Sequence, residues 1–189
     1  MNYTPIPSDE LALFNALDDI QVVFDIGART DTDYVHLKPG IELHAFEPNP
    51  IFFQELKDKI GDRPHTYLNN YGLGDKSGMF AYSNALQMFE GGEGGESDAI
   101  REDQRLEIRL LDGYCAEKGI TRIDFLKIDT EGYDYQVLKG GEKAIKMSRY
   151  IQYEHWNDRL QFHDLLENDF YMTYIGGRNV FCQRKYPLV

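Results

Sequence analysis

Four short stretches set carboxylates, glycines and amides where strands should end. They are Asp25-Ile26-Gly27, then Glu47-Pro48-Asn49, then "NNYGLGD" at 69 to 75, then Asp129-Thr130-Glu131. In open α/β sheets ligands bind at the carboxyl ends of strands, so these are the places to look for chemistry. Gly27 permits close approach of a backbone. Glu47 follows roughly 20 residues later, at the end of the next strand, where an acid accepts the protons of two ribose hydroxyls and repels a phosphate. Asp129 and Glu131 are candidate proton acceptors if burial raises their affinity for a proton. His155, in "YEHW", titrates near neutral pH and is the natural first candidate for a general base. Each has a plainer reading as well. Glu47 serves equally as an exposed strand-end acid, Asp129 as a helix cap, Glu131-Gly132 as a turn, and His155 as a hydrogen-bonded residue beside Trp156. Glu154 alternates with His155 along a strand, so the two do not share a pocket. Asp129, Glu131 and His155 together would offer a divalent ion oxygen and nitrogen ligands. Nothing in their spacing requires one, and no metal is expected.

The elements that must hold these residues are legible in the apolar pattern. "SDELALFNAL" reads as a helix with Ser8 as N-cap and Leu11, Phe14 and Leu17 on its apolar face. "QVVFDIG" and "ELHAFEPNP" are strands. Between them "TDTDYVHLKPG" is a short helix, with Thr30 and Asp31 as candidate caps. "NPIFFQELKDKIG" is a helix with Pro50 in its first turn and Gly61 past its end. "HTYLNNYGLG" reads as a third strand and "MFAYS" as its hairpin partner. "RLEIRLLDGYCAEKGI" is a strand leading to a helix, with Asp112 as N-cap. "RIDFLKIDTEG" is the most strand-like segment of the chain. "DYQVLKGGEKAIKMS" is a helix interrupted at Gly140-Gly141. "RYIQYEHW" is a strand and "DRLQFHDLLEND" a helix, and "FYMTYIGGRNVFCQRK" is a hairpin turning at "GGRN". Strands alternate with helices until this hairpin, which implies right-handed βαβ units, a mostly parallel sheet and an antiparallel edge. Residues 1–189 read as one domain with a helical extension at 1–20. The glycine- and glutamate-rich segment at 90–98 reads as a flexible loop, either a surface insertion or a mobile lid.

Composition narrows the partners. The 189 residues carry 20 Lys+Arg against 32 Asp+Glu, a formal charge of −12. That balance argues against a nucleic-acid backbone or an anionic membrane surface, and no run of basic residues suggests a local exception. Cys115 and Cys182 lie far apart in sequence, as expected of reduced thiols. No apolar run of membrane-spanning length occurs and the N-terminus lacks the pattern of a signal peptide, so the expected address is the cytoplasm. Oligomeric state is not legible.

Five stretches together resemble the FkbM-type methyltransferases. They are "VVFDIGA", "HAFEPNP", "NYGLGDKSG", "LLDGYCAEKGI" and, most specifically, "IDFLKIDTEGYDYQVLKGG". The resemblance runs from about residue 21 to about residue 155. It implies a class I enzyme that uses S-adenosylmethionine, built on a seven-stranded Rossmann-like sheet whose last strand is antiparallel. It further implies that Asp25 and Gly27 lie beneath the methionine part of the cofactor, that Glu47 binds the ribose hydroxyls, and that Pro48 and Asn49 border the adenosine. Asn70, Tyr71 and Gly72 would surround the adenine, and Asp129, Thr130 and Glu131 would lie near the transferring methyl and its acceptor. The implied acceptor is a hydroxyl of a sugar or another small molecule.

The glycine turn departs from the family pattern D-x-G-A-N-x-G. Arg29 stands at the asparagine and Asp31 at the second glycine. Two outcomes follow. In one, Arg29 supplies a guanidinium for the cofactor carboxylate and the turn still works. In the other, the oxygens of "TDTD" cap the following helix, and the chain is a binding protein that keeps the fold without the activity. A nicotinamide-dependent enzyme ranks third, because G-x-G-x-x-G is missing.

Overall fold

The computed structural model describes residues 9–61, 63–83, 88–89, 105–155 and 159–188. The segment at 90–98, Ser8 and Trp156 lie outside them. In chain order the elements are α1 (Glu10–Ala16), β1 (Val22–Ile26), α2 (Tyr34–Leu37), β2 (Glu42–Phe46), α3 (Pro50–Ile60), β3 (Thr66–Asn69), β4 (Gly72–Gly74), β5 (Gly78–Ser83) and β6 (Met88–Phe89). There follow β7 (Arg105–Leu110), α4 (Leu111–Lys118), β8 (Ile123–Ile128), α5 (Asp134–Lys139), α6 (Glu142–Met147), β9 (Ser148–Glu154), α7 (Arg159–Leu166), β10 (Phe170–Gly176) and β11 (Asn179–Arg184).

The main sheet has seven strands in the order β10-β11-β9-β8-β1-β2-β3. Strands β3, β2, β1, β8 and β9 are mutually parallel, while β11 runs antiparallel to both β9 and β10. This is the Rossmann-like arrangement the sequence implied, closed by the expected hairpin at Gly177-Arg178. Strand order reverses between β1 and β8, which makes that junction the switch point where such sheets bind ligands.

Except for edge strand β3, the strands of the main sheet feed two cores, because successive side chains point to opposite faces. Val23, Leu43 and Phe125 pack on one face with Leu13 and Phe14 of α1, Val35 of α2, and Leu56 and Ile60 of α3. Phe24, Ile26, Leu126, Ile128 and Ile151 pack on the other with Leu111 of α4, Val137 of α5, Ala144 of α6 and Phe162 of α7. Among these, Val23, Leu43 and Phe125 are fully buried, as are Phe24, Leu126 and Ile151.

Several local expectations change. The cap of α1 is Asp9, whose side chain accepts from the Ala12 N–H. Leu11 is exposed, and Leu13 takes its place on the buried face. Neither Thr30 nor Asp31 caps α2: Asp33 stands at its N-cap without a side-chain bond, and Asp31 accepts from the N–H of Thr32 and pairs with Lys59. The third strand is two. β3 joins the main sheet, whereas β4 joins a second sheet of order β4-β7-β5-β6. Consequently β5 pairs with β7 and β6, not with the strand before it. Asp112 does not cap its own helix. Its carboxylate accepts from the N–H groups of Lys143 and Ala144 and so caps α6, 31 residues on. Gly140 explains the "KGG" break: a Cβ there would sit 1.9 Å from the Gly74 carbonyl, so only glycine lets α5 end against β4.

Candidate active site

At the carboxyl ends of β1, β2 and β8 a cleft of about 230 Å³ opens. Gly27, Ala28 and Arg29 form one wall, Glu47, Pro48 and Phe52 a second, and Lys127, Asp129, Thr130 and Glu131 the third. Three strand ends flagged in the sequence therefore converge.

Glu47 is the centre of this convergence. It is 6% exposed. Its Oε2 accepts the backbone N–H of Arg29 at 2.9 Å, and its Oε1 accepts that of Asn49 at 2.8 Å. Burial raises its affinity for a proton, and the two N–H groups partly restore the carboxylate. Each oxygen retains a lone pair for a hydroxyl. Asn49 caps α3 by accepting from the N–H of Ile51, which fixes the turn that carries Glu47.

Arg29 adopts φ 56 and Glu131 φ 54, both in the left-handed region. A side chain there costs about 1 kcal/mol or more relative to the right-handed form, and such residues gather at functional sites. The Arg29 guanidinium lies 5.3 Å over the Phe52 ring, held at the cleft rather than at Asp31. Gly27 has φ +83, and a Cβ on it would meet the Asp129 carbonyl at 1.9 Å. Its glycine is therefore demanded by the β8 end packing on the β1 turn.

Beneath the cleft runs a row of buried polar groups, of which the sequence reading had named only Asp25. Registered neighbours Asp25, Lys127 and Gln152 lie side by side on β1, β8 and β9. Lys127 Nζ is 3.2 Å from Asp25 Oδ1 and 3.6 Å from Asp129 Oδ2. Burial opposes its ammonium charge, but Asp25, Tyr34 and Asp129 outweigh that and hold it above the ordinary lysine range. Glu10 comes in from above. Phe14 packs edge-on against Phe125 at 5.0 Å. Glu10 stands one turn before Phe14, and Lys127 two residues beyond Phe125 on the same face, so the two meet. Glu10 is hydrogen-bonded with Gln152 and feels Lys127, Asp129 and Glu154, and burial raises its proton affinity. The signal for Lys127 and Gln152 was available as polar residues inside apolar strands. That for Glu10 was not, because it depends on where α1 docks.

The other expected residues fall elsewhere. Asn70 donates to the carbonyls of Glu47 and Pro48 and so braces the β2 end. Tyr71 is buried against Phe46, with Arg109 stacked 4.1 Å over its ring. Gly72 opens β4 and pairs with Ile108. Neither Tyr71 nor Gly72 lines the cleft. His155 also lies outside the lining. Its backbone donates to Arg178 and its ring sits edge-on to Tyr174. Glu154, one residue earlier, is on the Lys127 face and pairs with Arg178 at 2.9 Å. Asp134, which the sequence reading passed over, ties the site together. Its Oδ2 accepts the N–H and hydroxyl of Thr130, and its Oδ1 accepts the Glu154 N–H. Burial pushes its carboxyl up to about 6. Among the described residues, the His, Cys, Asp and Glu side chains with a spacing that could hold a metal ion are His163, Asp164 and Glu167, on the exposed face of α7 or just past it.

A sheet ordered in this way, mostly parallel with an antiparallel strand near one edge, is a Rossmann-like fold of the methyltransferase type. Residues 25–176 match the methyltransferase FkbM domain, and the chain belongs to that family. It is 24% identical over 157 residues to the 2-O-methyltransferase NoeI of Sinorhizobium fredii, covering 74% of this chain and 65% of that protein. It is 24% identical over 142 residues to the hexuronic acid methyltransferase AglP of Haloferax volcanii (74% and 57%). It is 31% identical over 157 residues to the 31-O-demethyl-FK506 methyltransferase FkbM of Streptomyces tacrolimicus (65% and 60%). The chain thus spans roughly three fifths of the length of these curated relatives. Its fold is shared with the crystal structure of methyltransferase FkbM from Methylobacillus flagellatus. There the TM-score is 0.61 at 16% identity, over 86% of this chain and 43% of that one.

Proposed function

We propose that this chain is an S-adenosylmethionine-dependent methyltransferase acting on a hydroxyl oxygen of a sugar-like small molecule. The observation that carries the reading is the buried Glu47 carboxylate, bonded to the turn after β1 and facing the cleft at the switch point. The relatives named for 2-O-methylation, for methylation of a hexuronic acid and for that of 31-O-demethyl-FK506 supply the acceptor class. The residues fit the cofactor: Glu47 would hold the ribose hydroxyls, Phe52 offers an apolar face, and Arg29 a cation for the carboxylate. When bound, the sulfonium supplies an electrophilic methyl group. The chain's own part is alignment, which alone removes much of the barrier to displacement. Asp129, which lines the cleft beside Lys127, would take the hydroxyl proton. Glu131 stands at the mouth, and His155 acts in the packing of the hairpin. Asp134 fixes Thr130 and thereby the Asp129 turn.

The reading takes the chain as a single domain in a reducing compartment, the cytoplasm, without nucleic-acid or membrane partners. It rests there on the charge of −12 and two buried free thiols. Among the described residues no helix is long and apolar enough to cross a membrane.

Calorimetric titration with S-adenosylmethionine and S-adenosylhomocysteine tests it. Binding at about 1–100 μM, weakened at least about tenfold in Glu47→Gln, is expected. No heat at about 1 mM, or unchanged affinity in the variant, sinks it.

A further inference from the structure

At the opposite end of the sheet, where β8 and β9 begin and β11 ends, lies a second cleft of about 510 Å³. It is separated from the candidate active site by the length of β8, roughly 20 Å. Arg122, Arg149, Arg184 and Lys185 line it, with Asp19 and the exposed ring of Tyr186. Four cations in one cleft stand out in a chain of charge −12. They come from three separate segments, which is why no basic run announces them in the sequence.

What holds these cations matters more than their number. Arg122 is neutralised by Asp124, at 2.6 Å. The other three are anchored mainly through neutral carbonyls. Arg149 donates from Nη1 to the carbonyls of Asp18 and Asp19. Arg184 donates to those of Ser148 and Ile145, and Lys185 to that of Glu167. A carbonyl orients a cation without cancelling its charge. Burial weighs against the charge of Arg184, and Asp169 offsets this only in part. The hydrogen bonds of Arg149 use one of its three nitrogens, and a guanidinium offers five N–H donors in a fork that fits two oxygens of one anion.

We infer that this cleft is an oxyanion-binding site, distinct from the methyltransferase cleft, for a phosphoryl or carboxylate group carried on a small ring-bearing molecule. Arg149, Arg184 and Lys185 hold the oxygens, Arg122 stands at the rim, and Tyr186 offers a face to the ring. The site does not depend on the proposed enzymatic activity.

The test is calorimetric titration of the full chain at low salt with inorganic pyrophosphate, glucose 1-phosphate, inorganic phosphate and glucuronate. Millimolar or tighter binding of pyrophosphate is expected, weakened by about tenfold or more in Arg149→Gln or Lys185→Gln and unchanged in Glu47→Gln. Binding should also weaken as salt is raised. Glucose 1-phosphate binding more tightly than phosphate supports the ring contact, and a preference between it and glucuronate identifies the anionic group. Circular dichroism confirms folding of each variant. Lack of heat from pyrophosphate at about 10 mM, or affinity unchanged in both folded variants, overturns the site.

Discussion

The backbone N–H of Arg29 donates to Oε2 of Glu47 across 2.9 Å. The residue that departs from the family pattern is thus bonded, through its main chain, to the acid that ends the neighbouring strand region. The bond needs the left-handed backbone at position 29, not an asparagine side chain there. It leaves the guanidinium at the cleft, over Phe52, while Asp31 turns outward to Lys59. Of the two arrangements left open by the sequence, Arg29 takes the one a working turn requires.

Glu47 should matter to folding as well as to binding. Glu47→Ala strands two N–H groups, those of Arg29 and Asn49, and should cost about 1–3 kcal/mol. Glu47→Gln keeps one acceptor and should cost less. Urea unfolding of the two variants checks the order; equal loss would contradict it.

Arg29→Gly separates strain from function. Glycine adopts φ 56 freely, so the variant should unfold no more easily than the parent, within about 1 kcal/mol. Its affinity for S-adenosylhomocysteine should fall, because the cation over Phe52 is gone. A variant that is clearly less stable, or binds as tightly, refutes this.

Lys127→Met should be among the most damaging single changes. It leaves Asp25, 2% exposed, as a buried carboxylate without its cation, at a cost of about 3–5 kcal/mol. Adding Asp25→Asn removes that charge and should recover part of the loss. Denaturant melts of the single and double variants show it, and additive losses would argue against the pair.

Asp134 predicts a pH dependence. Its carboxyl is raised by burial to about 6. A raised acid holds its proton longer in the folded than in the unfolded state. Its contribution to stability is full below about pH 4 and is lost as pH rises through about 6. For a shift of this size the change is on the order of 3 kcal/mol. Asp134→Asn should therefore be less stable at low pH, where it lacks the carboxyl's bonds, and the gap from the parent should narrow between pH 4 and 6. Thermal melts across that window measure it; a gap that widens with pH is the contrary result.

The sequence by itself determined the sheet and most of its elements. Apolar runs at strand length, glycine and proline stops, and the "GGRN" turn are local signals, and local chemistry decides them. It also located Glu47 and Asp129, because strand ends are where this sheet type binds ligands. Tertiary structure decided what depends on contacts between distant segments. Asp112 looked like the cap of its own helix and caps α6 instead, since capping needs only a nearby carboxylate, whatever its place in the chain. The alternation of Glu154 and His155 was legible, but only the register of β9 against β8, which sets Gln152 beside Lys127, fixed which of them shares the Lys127 face. Glu10 entered the site by the docking of α1. The four cations of the second cleft were invisible along the chain because charge clusters in space, and the fold alone brought them together.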